Sequence, residues 1–233
     1  MLKMPVDRKL IQKMFQLAEE WEAKADRRAI FLRCYSMMTE NMCLAIDQKR
    51  FQDNEWVEGL LRLFADYYFD ALTCFDCGED VPKIWESVHQ AAAFEKQLHV
   101  LQHLLMGVNA HINYDLVLTL YDLLHPEWEQ LSESQRKTRY EDHCLVNTII
   151  AETIDAVQDE VIEKHAPSME WLDQLMGRLD EYLTVSLIRR WRDEVWQHTM
   201  ALLQCKEQIQ RQAILRQVEE DVFQNAQRLQ LKF

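Results

Sequence analysis

The segment HVLQHLLMGVNAHINYDLVLTL sets His99, His103, Asn109, His111, Asn113 and Asp115 into an otherwise apolar run with no proline and one glycine. Imidazole, amide and carboxylate groups are costly to bury unless they pair with one another, with a metal or with backbone. Three chemistries suit them: ligation of a divalent metal, proton transfer, or a hydrogen-bonded network that fixes helix packing. A helix advances about 100° per residue, so His99 with His103, Asn109 with Asn113, and His111 with Asp115 each share a stripe. The H-x-x-x-H and H-x-x-x-D spacings place two ligands one turn apart. His103, His111 and Asp115 are therefore the candidate ligands for zinc, iron or manganese. Asn109 and Asn113 are candidates for orienting a substrate. The His111 stripe is rotated by roughly 120° from that of His99. Convergence on one metal then requires a bend, for which Gly107 offers a place, or ligands from neighbouring helices.

A second element, YEDHCLVNTIIAETIDAVQDEVIEKH, carries Asp142, His143 and Asn147 near its start and Glu152, Asp155 and Asp159 at i,i+3 and i,i+4 spacing. Packed antiparallel to the first, it would set its middle acids opposite His111 and Asp115. Asp142 and Asp159 are the candidate catalytic carboxylates, accepting a proton from a metal-activated water. A solvated face is the alternative for the middle acids, and helix packing or capping for Asp142 and Asn147. In SLIRRWRDEVWQHTMALL, Arg190 is placed to clamp an anionic substrate group or neutralise a core acid, while most of its charged neighbours read as surface. His89 and His125 sit near breaks and are expected to face solvent. The chain has no H-E-x-x-H, no paired Glu-x-x-His, no glycine-rich phosphate loop and no G-x-S-x-G, the motifs that would have selected a familiar reaction.

The elements that must position these groups read as helices. Only 4 glycines and 4 prolines accompany 48% hydrophobic residues, and period-two runs of β-branched residues are nearly absent. The pattern predicts helices from about Asp7 to Ala25, from Asp26 to about Arg50, and from a cap at Asp53 or Asn54 to the CGEDVP break. A helix after Pro82 follows, then the polar-in-apolar helix from about Glu95 to Leu124. Next comes a long helix capped at Ser132 or Ser134 and running to about Glu163. After the HAPSMEW break the tail reads as helix nearly throughout from Leu179 to Leu229. The expectation is an all-α, single-domain multi-helix bundle over residues 1–233, with long antiparallel helices.

A formal charge of -13 argues against nucleic acid as a partner, because a phosphate backbone calls for a basic stripe. No apolar stretch reaches membrane-spanning length, and the N-terminus lacks the apolar core of a signal peptide, so no membrane insertion and a cytoplasmic location are expected. The six cysteines are scattered through helical patterns and read as free thiols. Cys74 and Cys77 form one C-x-x-C with no second pair to complete a zinc site.

Three stretches carry a family resemblance: LQHLLMGVNAHINYDL (101–116), EDHCLVNTIIAETIDAVQDEV (141–161) and IRRWRDEVW (188–196). Through them the chain resembles an all-helical bacterial family of unknown function, over roughly residues 50–205. The resemblance implies a polar signature on His103, Asn109, His111, Asn113 and Asp115. Its companions are Asp142, Asn147 and Asp159 on the next helix, and Arg190 with Trp196 on the last. It brings no activity with it. Two functions stay open. One is a metal-dependent hydrolase acting on a small molecule. The other is a non-enzymatic helical module whose buried polar network sets register and whose charged helices meet a protein partner or a second copy.

Overall fold

The computed structural model describes residues 8–95, 97–157 and 181–231. Among the described residues the structure is all-helical with no strand. The helices are α1 (Arg8–Ala23), α2 (Arg28–Asp47), α3 (Asn54–Cys77), α4 (Lys83–Phe94), α5 (Val100–Ala110), α6 (Leu116–Leu124), α7 (Glu133–Val157), α8 (Glu181–Gln204) and α9 (Gln208–Leu231). A π-helical turn, His111–Asp115, joins α5 to α6. No described helix is long and apolar enough to cross a membrane.

The breaks fall where local chemistry dictates. Asp53 caps α3 by accepting the Trp56 amide at 3.0 Å. Gly78, at φ 70°, ends α3, with its own amide on the Phe75 carbonyl and that of Glu79 on the Cys74 carbonyl. Ser132 and Gln135 form a reciprocal box at the start of α7, with the Ser132 amide on Gln135 Oε1 and the Gln135 amide on Ser132 Oγ. The tail is not one helix: α8 and α9 are separated at Cys205–Glu207.

The chain divides into two compact units. The first comprises residues 1–58 and 137–190, the second 59–136 and 191–233, so α3, α7 and α8 each supply residues to both. In the first unit, α1 packs on α2 through Met14, Ala18 and Trp21. Arg33 ties the two helices with an ion pair to Glu22 at 3.1 Å, and its guanidinium lies 5.4 Å from the Phe15 ring centroid. On α7, Glu152 grips Arg50 through both oxygens at 2.7 and 2.9 Å, and Thr153 accepts from Asn41. Glu152 is thus half-exposed on a surface pair.

In the second unit, α4, α5, the π turn and α9 pack together. There α9 lies along the polar helix. Gln102 donates to the Leu229 and Gln230 carbonyls, Asn109 to the Val222 carbonyl, and Arg211 to the Tyr121 hydroxyl. Numbers rise on one element as they fall on the other, so the two run antiparallel.

Candidate functional site

The polar helix is irregular at its chemical centre. At Leu116 the amide bonds back to the His111 carbonyl, an i to i+5 bond that admits an extra residue into the turn. Faces before and after such a turn are offset by about 100° relative to an uninterrupted helix. The irregularity falls on His111–Asp115, four residues beyond Gly107, where the sequence offered a bend.

His111 and Asp115 meet in this turn, both buried, with His111 Nδ1 and Asp115 Oδ2 2.8 Å apart. Across from them on α4, the Trp85 indole Nε1–H donates to both Asp115 oxygens, at 2.9 and 3.1 Å. When Asp115 is ionised its oxygens can only accept, so a neutral imidazole then donates from Nδ1 and keeps its lone pair on Nε2. The ring is enclosed by aromatic groups. Phe64 stacks on it with centroids 3.6 Å apart and planes 9° apart. Tyr68, one turn along α3, meets it edge-on at 6.0 Å, and Trp85 does so at 6.2 Å. Thr119 closes the turn by donating to the Asp115 backbone carbonyl.

Burial governs the electrostatics. It pushes His111 below the ordinary imidazole value, with the Asp115 hydrogen bond and charge opposing it. It pushes Asp115 above the ordinary carboxyl value, against the opposing bonds from His111 and Trp85. Burial thus favours the neutral imidazole at neutral pH. Tyr114, on the same turn, is pushed up to about 12 by burial and by the nearby Glu219 and Asp115 charges, and stays protonated.

The other predicted residues divide. Asn113 donates to Asn109 Oδ1 at 2.9 Å, and Asn109 passes the chain on to the Val222 carbonyl. The asparagine pair is therefore tied to α9 through Asn109. His103 is buried, but among the described residues no three His, Cys, Asp or Glu side chains form a group that could hold a metal ion. The three-ligand set of His103, His111 and Asp115 is not assembled. His99 caps α5 by accepting the Leu101 amide, so the H-x-x-x-H pair begins outside the helix. Asp142 commits its two oxygens to the Gln52 and Asp53 amides, each at 2.8 Å, pinning the connection between α2 and α3. Arg190 lies exposed, whereas Arg192, two positions on, is buried. Asp159 lies outside the described residues.

Two placements were not expected from sequence. His89 is buried between rings, 5.4 Å from Trp85 and 4.9 Å from Phe75. It shares a face of α4 with Trp85 at i,i+4, which is why it does not face solvent as the nearby break implied. His125 does lie exposed, near Arg211. Trp85 itself carried no local signal beyond its apolar neighbours, because its partner is thirty positions away.

A family model described as a family of unknown function, DUF5995, matches residues 8–231. The chain belongs to that family, and the match extends well beyond the stretch that carried the resemblance in sequence. Neither the curated proteins nor the solved structures contain a match to this chain.

Proposed function

We propose that the protein is an enzyme that hydrolyses a small molecule, with neutral His111 as the general base and Asp115 as the carboxylate that orients it. One observation carries the reading: an ionisable pair, a π turn and an aromatic enclosure coincide on the same five residues. Register between the polar helix and α9 is already supplied by the neutral amides of Gln102 and Asn109. A buried carboxylate costs several kcal/mol more than an amide unless its partners repay the desolvation. A network serving register alone has no use for that cost. With Nδ1–H held by Asp115, the Nε2 lone pair takes a proton from water as it attacks the substrate and returns it to the leaving group, a role that contributes about 10²–10⁴-fold in rate. The metal-dependent form of this hydrolase is the weaker proposal, since both Asp115 oxygens are engaged by Trp85 and His111.

The second reading is the helical module with a structural polar network, favoured by the bonds from Gln102 and Asn109 to α9 carbonyls. A working base must be reachable by a small molecule, and that separates the two. Native protein is treated with diethyl pyrocarbonate at neutral pH and the modified histidines are mapped by peptide mass spectrometry. The enzyme reading expects carbethoxylation at His111, lost in Asp115→Asn, where the amide turns the imidazole to its Nε2–H tautomer. An untouched His111 beside a fully modified His125 favours the module.

A further inference from the structure

We infer that Trp85 is a positioning residue that sets the basicity of His111 by competing for the Asp115 carboxylate. The inference deepens the proposed function and rests on His111 being the base. Its ground is the geometry of the acceptor. Asp115 Oδ2 receives the His111 Nδ1–H at 2.8 Å and the Trp85 Nε1–H at 3.1 Å, while the same indole hydrogen also reaches Oδ1 at 2.9 Å. Two donors thus share one carboxylate, and charge drawn toward the indole is withheld from the imidazole. The weaker the pull on Nδ1–H, the less electron density reaches Nε2 and the less basic that nitrogen becomes.

The indole is held so that its N–H cannot turn away. His89 stacks on it with planes 22° apart, and Tyr68 meets it edge-on at 5.3 Å. It is fully buried and sits in the first turn of α4, where the Lys83 amide bonds to Glu219 of α9. A tryptophan needed only to fill volume could satisfy its N–H on any nearby carbonyl. Here the N–H is aimed at the one carboxylate that touches the base.

The test reads the nitrogen resonances of His111, which respond to hydrogen bonding far more than to neighbouring ring currents. Trp85→Phe keeps an aromatic ring and removes the donor, so Nδ1 should move downfield as the His111–Asp115 bond strengthens. Phe64→Leu, which alters the stack but leaves the carboxylate's donors in place, should leave Nδ1 where it was. A second arm does not depend on the variant folding. Uniform replacement of tryptophan by 5-fluorotryptophan makes the indole N–H more acidic, and Nδ1 should then move upfield in the otherwise native protein. Where Trp85→Phe folds, that fluorine effect should vanish in it. An Nδ1 resonance that stays put in both tryptophan arms overturns the inference, as does one that moves equally in Phe64→Leu. If His111 resists carbethoxylation while these shifts occur, the base reading fails and the coupling of Trp85 to His111 stands, so the two claims fail separately.

Discussion

Replacing Asp115 by alanine or by asparagine should give sharply different proteins. Alanine strands two buried donors, the Trp85 Nε1–H and the His111 Nδ1–H, that now reach the carboxylate at 2.9 and 2.8 Å. Each stranded donor costs about 1–3 kcal/mol. Relief of the carboxylate's own desolvation offsets part of that, leaving an expected loss of about 2–4 kcal/mol. Asparagine keeps an oxygen for the indole, and its amide donates to Nδ1 once the imidazole changes tautomer. It also removes a buried charge, so Asp115→Asn should stay within about 1 kcal/mol of wild type. Urea denaturation followed by circular dichroism measures both, with an unchanged m-value confirming that only stability has moved. Equal losses in the two variants, within about 0.5 kcal/mol, would refute the hydrogen-bonded chain. An alanine variant that loses less than about 1 kcal/mol would do the same.

The pair also predicts the sign of the pH dependence. Burial holds His111 below its ordinary value, so as pH falls through 6.5 the unfolded chain takes up a proton that the folded one does not, and stability declines. The advantage of wild type over His111→Gln should therefore shrink as pH is lowered through that value. Asp115 acts in the opposite sense: its raised folded value stabilises the protonated form at acid pH, a contribution lost as pH rises through the folded value and absent in Asp115→Asn. Asp142→Ala should cost about 2–4 kcal/mol, measured by the same denaturation, by freeing the Gln52 and Asp53 amides. It should leave the His111 nitrogen resonances unchanged. Glu152→Gln breaks a solvent-exposed grip on Arg50, so its small thermal destabilisation should fade as salt is raised.

Much of this arrangement was legible in sequence, and the part that was not has a common cause. Sparse glycine and proline gave the all-helical class, and Asp53, Gly78 and Ser132 marked boundaries because capping and left-handed backbone are decided within three or four residues. The His111–Asp115 pair was visible for the same reason, since i,i+4 spacing is local. Contacts set by distant elements left no such mark. Asn109 reaches a carbonyl on α9 and Asp115 an indole on α4. Glu152 on α7 is gripped by Arg50, about a hundred positions away. Arg190 and Arg192 differ by two positions, about 200° of helix, and the sequence chose the exposed one because alternating charge marks a face without saying which way it points. The π turn escaped notice because periodicity assumes a regular helix.

The central claim is that His111 stands neutral at physiological pH with its Nδ1–H donated to Asp115 and a lone pair on Nε2. A long-range proton–nitrogen correlation spectrum of protein labelled at histidine reads protonation and tautomer together. The account predicts one His111 signal set at neutral pH with a protonated Nδ1 and an unprotonated Nε2, lost to the opposite tautomer in Asp115→Asn. An imidazolium at neutral pH, or an Nε2–H tautomer in the native protein, would contradict it.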